Sequence, residues 1–450
     1  MKIMKYTLWA TVGLSLLFAS CESILDINPK DRLTTKDYFT NEEQLRLYSN
    51  QFYSNNFPGD GDIYKDNADV LIVSPLDDEV SGQRVIPETG GGWSWSALRS
   101  INFLLDNLGN CKDQKVRDKY EALARFFRAY FYFELIKRYG GVPLITKSLT
   151  AEEAQQVTRA SYDDCMKQII ADCDTAANRL PEQYKGSSES VGFDDKKELG
   201  RPTTGSAYGL KSRALLYWAS PLNNPNNDKQ RYKLAIDAAQ KVVESAFRYK
   251  LMAFTDEDET FTDLYAVSEN FLQYHREIVF STKYNTTTSV ESQNSPLTMG
   301  GKGLTNPTQN LADAFGMANG KGINELGSGY DKDHPYVGRD PRFYMTFAYD
   351  GSTFTVNDKT QTIETFEGGK DATATNKTAT KTGYYLKKLL SPQAVWDGRT
   401  NNITRTWILM RYAEVLLNCA EAMNEYYDTP SAAPKDSIYK VVELIRKRAQ

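Results

Sequence analysis

Carboxylates are the side chains best suited to cutting a bond, and two runs of them stand out. Asp77, Asp78 and Glu79 sit together in PLDDEV, and Asp256 to Glu259 in TDEDET. A glycosidase needs two carboxylates flanking the scissile bond, about 5–9.5 Å apart. Nothing in either run fixes such a separation, and short acidic runs also suit solvated loops. TDEDET offers the hard oxygen ligands of a structural calcium site, but the glycine and spacing of an EF-hand are missing. Only two histidines, His275 and His334, occur in 450 residues, so histidine metal sites and histidine triads lack material. No G-x-S-x-G elbow, P-loop or G-x-G-x-x-G is present. Net charge is −4, from 54 basic and 58 acidic residues well mixed along the chain. A nucleic-acid binder would show a concentrated basic face instead.

Aromatic side chains supply a second kind of chemistry, binding by stacking. The chain has 28 Tyr, 20 Phe and 6 Trp. The most pointed arrangement is GGGWSWS, Gly90 to Ser96, where a glycine run precedes Trp93 and Trp95. In an extended loop two residues spaced by two point the same way. A flat apolar ligand face stacked on an indole would gain about 1 kcal/mol beyond area burial, by analogy with aromatic pairs. The structural alternative has Ser94 capping a helix near Ala97, with Trp93 stapled on Leu98. One tryptophan for each role is consistent with both readings, with Trp95, nearer the helix, as the structural one.

Cysteine usage concerns targeting. Lys2 and Lys5 precede an apolar run of 11 residues, Leu8 to Phe18, and then FASC. Such a run is shorter than the ~20 residues that span a bilayer. Small residues before Cys21 suit a signal peptidase, and the cysteine then offers its thiol to lipid. Residues 1–20 are thus expected to be a lipoprotein signal peptide and Cys21 the lipidation site. Cys111, Cys165, Cys173 and Cys419 show no zinc spacing and are expected as buried free thiols.

The elements that must position these residues are mainly helical. KYEALARFFRAYFYFELIKRYGGVP predicts one long helix, apolar on two faces and so sandwiched between others. Ser161 with Asp164 predicts a capping box opening a second helix. TTGSAYGLKSRALLYWASP, DKQRYKLAIDAAQKVVESAF, TWILMRYAEVLLNCAEAMNEYY and DSIYKVVELIRKRAQ predict four more. They come in alanine-bearing pairs like tetratricopeptide repeats, though without the full repeat signature. The fold class is therefore mainly α: irregular tetratricopeptide-like pairs forming an α-solenoid scaffold, about 41–250 and 405–450. Between them a loop-rich insertion with short strands spans about 251–404. There REIVFSTKYN and RFYMTFAYDGSTF alternate like strands, with a tight turn at Asp350-Gly351.

In order along the chain, the lipobox, LDINPKDRLTTKDYFTNEEQL, ARFFRAYFYFELIKRYGGVPL, GRPTTGSAYGLKSRALLYWASPLNN, NPTQNLADAFGMANGKG, RDPRFYMTFAYDG and MRYAEVLLNCAEA resemble the SusD/RagB family. These are surface glycan-binding lipoproteins of glycan-foraging Gram-negative bacteria. The resemblance runs from Cys21 to the last residue, as a single SusD-like domain over 21–450. In this family a further segment follows ELIRKRA, so the C-terminus is expected to be incomplete. The resemblance implies a lid tethered by lipid to the outer leaflet of the outer membrane. It would bind an oligosaccharide and deliver it to a SusC-like TonB-dependent transporter, with no catalysis and no cofactor. It also places site aromatics around Trp93 and Trp95, with Asp78 and Arg84 upstream as polar partners and Tyr284 from the insertion. The alternatives are a glycan-active surface hydrolase, a peptide- or glycopeptide-binding surface lipoprotein, or a structural surface component. Many strands would favour the last, and the helical halves disfavour it.

Overall fold

The computed structural model describes residues 38–53, 57, 71–73, 81–83, 92–184, 198–245, 249–252, 276–282, 285–373, 375–376, 379–427, 429, 432–433 and 437–448. The first half is a row of helices: α1 (Glu42–Ser49), α2 (Ser96–Asn107), α3 (Gln114–Tyr139), α4 (Ala151–Gln155), α5 (Tyr162–Arg179), α6 (Thr204–Ala219) and α7 (Lys229–Val243). Local chemistry sets where most of them begin. The side chains of Asn41, Asp113, Thr150, Ser161, Thr203 and Asp228 each accept a first-turn backbone N–H. Thr150 with Glu153 and Thr203 with Ser206 close full capping boxes. Ser161 caps through the Asp164 N–H at 3.0 Å, but the Asp164 carboxylate meets the Ser161 hydroxyl rather than its backbone. The expected box is therefore only half formed.

Packing follows chain order: α2 on α3, α3 on α5, α5 on α6 and α6 on α7. This nearest-neighbour stacking is that of a solenoid. The α3 helix is buried over most of its circumference, with Phe126, Phe127, Tyr132 and Phe133 all enclosed. Inside it lies a charge. The Arg128 guanidinium meets both Asp172 oxygens on α5 at 2.7 Å, and also donates to Asn102 on α2 and the Thr146 carbonyl. One buried arginine thereby ties three layers together, with its hydrogen-bonding capacity used as burial demands.

The insertion is a mosaic of short pieces. With β1 (Leu71–Val73) from the N-terminal half, it holds β2 (Ile278–Ser281), β3 (Asn285–Thr287), α8 (Ser289–Asn294), β4 (Thr305–Pro307), α9 (Gln309–Ala314), α10 (Pro341–Thr346), β5 (Phe347–Ala348), β6 (Thr353–Val356), β7 (Lys359–Thr362), β8 (Tyr385–Leu386), β9 (Ile403–Arg405) and β10 (Ile408–Arg411). The strands pair antiparallel in twos: β1 with β4, β2 with β10, β3 with β9, β5 with β8, β6 with β7. Two expectations change here. RFYMT is a helix rather than a strand, because Asp340 caps it and Pro341 occupies its first turn. The Asp350-Gly351 turn forms, with Ser352 N–H on the Tyr349 carbonyl at 2.9 Å, but it joins strands of different pairs. The hairpin of this region is β6–β7 instead. Small separate cores hold the insertion, one around Val356, Ile363 and Tyr385 and one around Phe343, Phe347 and Tyr384.

The chain returns to the scaffold through the ribbon by which it left, since β2 and β10 are partners. Ile408–Arg411 is thus a strand, and the helix expected from Thr406 begins only at Tyr412. There α11 (Tyr412–Tyr426) packs on α7, and α12 (Ser437–Arg448) packs on α11. The pair extends the row across the intervening insertion. Arg213 on α6 clamps Glu414 on α11 at 2.5 and 2.6 Å. Cys111, Cys165, Cys173 and Cys419 are free and buried.

Candidate functional site

The GGGWSWS segment enters the described structure at Gly92 and turns at once. Ser94 N–H bonds the Gly92 carbonyl at 3.1 Å, and Trp95 is already in the helical region as the residue capping α2. The segment is therefore not extended, and the expected alternation of two side chains along a strand does not describe it. Nor does Ser94 cap the helix: α2 begins at Ser96, with no side-chain cap bond, and Ser94 Oγ lies 3.2 Å from Ser96 Oγ. Gly92 is favoured by its backbone. Its φ is +78°, and a Cβ there would lie 3.3 Å from Arg138 Cδ.

The turn brings three rings together. Trp93 and Trp95 meet at 5.4 Å between ring centres with planes 78° apart, and Trp93 meets Tyr139 at 4.8 Å and 83°. Such edge-to-face contacts match the ring quadrupoles and hold the rings in place. Trp95 goes further inward, packs against the main core and meets Tyr132 at 6.3 Å. Trp93 stays 40% exposed. The outcome is an indole mounted on two aromatic supports at the open end of α3.

That end is rigid for a local reason. The α3 helix stops at Gly140, and a Cβ on Gly141 would fall 2.2 Å from the Ala160 carbonyl oxygen, so the chain leaving α3 lies backbone against backbone on the segment that enters α5. Ala160 N–H bonds the Val142 carbonyl at 3.1 Å across the same junction. Arg138 donates to the Glu134 carbonyl and carboxylate at 2.9 and 2.8 Å, while its stem lies against Gly92. Burial pushes the Tyr132 hydroxyl up to about 12, although the Ile145 backbone opposes the shift. It therefore stays neutral across the physiological range.

Sequence reasoning did not place Tyr139 or Arg138 beside the tryptophans. Their signal was their place in the last turn before a double glycine, but only folding sets them against Trp93. Cys21, Asp78, Arg84 and Tyr284 lie outside the described residues, as do Asp77, Glu79 and the TDEDET run. Among the described residues no group of three or more acidic, histidine or cysteine side chains could hold a metal ion, and no helix is long and apolar enough to cross a membrane.

A row of paired helices interrupted by one ribbon-joined, loop-rich insertion, with an aromatic mount at a helix end, defines a helical-scaffold class of protein. Residues 271–450 match the model of the SusD family, and residues 93–216 match one described as starch-binding associating with outer membrane. The chain belongs to the SusD/RagB family. SusD-like protein P25 of Formosa agariphila is 24% identical, over 37% of this chain and 37% of its own length. The match thus spans little more than a third of that relative. A SusD-like protein from Bacteroides fragilis superposes with a TM-score of 0.73 at 26% identity, covering 92% of this chain and 79% of that one. A SusD-like carbohydrate binding protein from the same organism gives 0.69 at 20% identity, covering 91% and 79%.

Proposed function

We propose that this protein captures an oligosaccharide at the cell surface and passes it, uncut, to a SusC-like TonB-dependent transporter of the outer membrane. In this reading Cys21 carries the lipid that holds it there. The observation that carries the proposal is Trp93: a large apolar ring kept 40% exposed, on supports that fix its orientation. Exposing an indole sacrifices its burial, and a rigid mount removes the entropy cost of ordering it later. Both features suit a ligand with a flat apolar face and polar edges, which is a pyranose. Trp95 acts as the support. Asp78, Arg84 and Tyr284 complete the site as hydrogen-bonding and stacking partners. Family membership and the carbohydrate-binding relative from Bacteroides fragilis support the same reading.

The test is a screen of the protein against soluble plant, algal and host glycans, with bound ligand and new reducing ends measured together. The expected result is binding of at least one glycan class with no new reducing ends. Turnover, or binding only to peptides, contradicts the proposal.

A further inference from the structure

Beside the Trp93 mount, on the other side of Arg138, lies a groove of about 600 Å3. Its walls come from the last turns of α3, the end of α6 and the outer face of α11. We infer that this groove is a second sugar subsite, with Tyr217 as its platform, so that the protein holds an extended chain across the end of α3 rather than a short ligand on Trp93. This rests on the glycan-binding reading above.

Three observations carry it. First, Tyr217 is 45% exposed and its ring meets Phe133 of α3 at 5.2 Å and 78°. It is thus a second open ring on an edge-to-face aromatic support, the arrangement found at Trp93. Phe133 and Tyr139 lie on the same helix, which advances about 1.5 Å per residue, so the two mounts flank its last two turns. Second, the groove and the first mount share Arg138. Arg138 lines it and also touches the Gly92 position. Third, its chemistry is mixed. Leu222 at its mouth is 90% exposed, beside Asn223 and the charged side chains of Lys137 and Glu421. In its walls the Tyr162 hydroxyl and Asn418 Nδ2 are buried with no hydrogen-bond partner among the described residues. An exposed apolar side chain among amide and charged groups suits a ligand with apolar faces and hydroxyl edges.

The floor is fixed in advance. Arg213 donates to both Glu414 oxygens and to the Leu409 carbonyl at 2.7 Å. The Ser220 hydroxyl and the Asn223 amide both close on the Tyr217 carbonyl, at 2.7 and 3.0 Å. Tyr217 therefore sits on a capped helix end, with its ring against Phe133.

The experiment is affinity electrophoresis of the full chain in gels containing starch, laminarin, xylan, galactomannan, pectin or chondroitin sulfate. Wild type, Trp93→Ala, Tyr217→Ala and Leu222→Glu are run side by side. A retarding polysaccharide is then competed with its own di- and hexasaccharide. The inference expects Tyr217→Ala to weaken retardation about five- to tenfold, the loss of one stacking platform. It expects the hexasaccharide to lose its advantage over the disaccharide in that variant. Leu222→Glu, at a side chain outside the core, repeats the effect if Tyr217→Ala alters the melting temperature. Retardation abolished by Trp93→Ala but unchanged in both groove variants overturns the second subsite and leaves the first reading standing. Groove variants that weaken di- and hexasaccharide equally also overturn it. No retardation of wild type in any gel overturns the glycan reading and this inference with it.

Discussion

Trp93 and Trp95 divide one short motif between water and the protein interior. Trp95 packs on the core below α2, so Trp95→Ala should cost about 2–4 kcal/mol, toward the lower end for a buried aromatic because the ring keeps some exposure. Urea unfolding of the variant checks this, and a change below about 0.5 kcal/mol, the range of a surface substitution, would contradict the packing role. The thiols set a second expectation. Burial pushes Cys419 up to about 11 and raises Cys173 further. An unfolded cysteine ionises near pH ~8.5. The unfolded chain therefore loses its thiol protons first, and the stability held by the neutral buried thiols is complete below that pH. It should fall as pH rises from about 8.5 toward 11. Burial of Tyr132, with its hydroxyl near 12, adds to the loss above pH ~10, where unfolded tyrosines ionise. A urea midpoint constant from pH 7 to 8 and dropping steadily above pH 9 is expected; a level profile to pH 11 would contradict it.

At the scale of elements, the backbone contact between the end of α3 and the start of α5 lies next to the Trp93 mount. Gly141→Ala puts a methyl 2.2 Å from the Ala160 oxygen, which is backbone and cannot swing aside. Overpacking of this kind typically costs about 1–3 kcal/mol. The melting temperature should fall, and Trp93 fluorescence should shift because Tyr139 moves with the helix end. An unchanged spectrum at a lowered melting point would separate the junction from the mount. The same scale shows what could be read in advance. Helix starts were legible at Ser161, Thr203 and Asp228, which act within their own first turn, whereas α3 was expected from Lys119 and begins at Gln114, where Asp113 caps it. The strand-like alternation of RFYMT hid a helix whose local signal, Asp340 before Pro341, was present. Ile408–Arg411 merged into the next helix because an apolar run reads alike in a buried strand and a buried helix. Arg128 carried no hint of its burial, since Asp172 reaches it from another helix. The aromatic pair Trp93 and Trp95 was legible by residue type. Its supports were not, because Tyr139 comes from the far end of α3 and the turn at Ser94 is not encoded by alternation.

For the molecule as a whole, the insertion is tied down where it leaves and returns. Buried Glu277 beside β2 accepts from Arg411 at 3.1 Å, from Arg448 at 2.5 Å and from the Met252 N–H at 2.9 Å. That links β10, α12 and the segment that follows the first helical row at the root of the insertion. Location is the other question at this scale. If Cys21 carries the lipid anchor, Cys21→Ala should leave the protein in the soluble fraction of cells lacking any partner transporter. Continued sedimentation with the outer membrane in those cells would contradict the anchor. The central claim, a sugar held on an exposed indole, is tested most directly by titrating wild type and Trp93→Ala with a glycan from the screen, on preparations whose melting curves are recorded alongside. The account predicts that affinity falls about fivefold or more, the loss of roughly 1 kcal/mol of stacking together with its buried area, at a melting temperature within a degree or two of wild type. Equal affinity per folded molecule in the two proteins would contradict it.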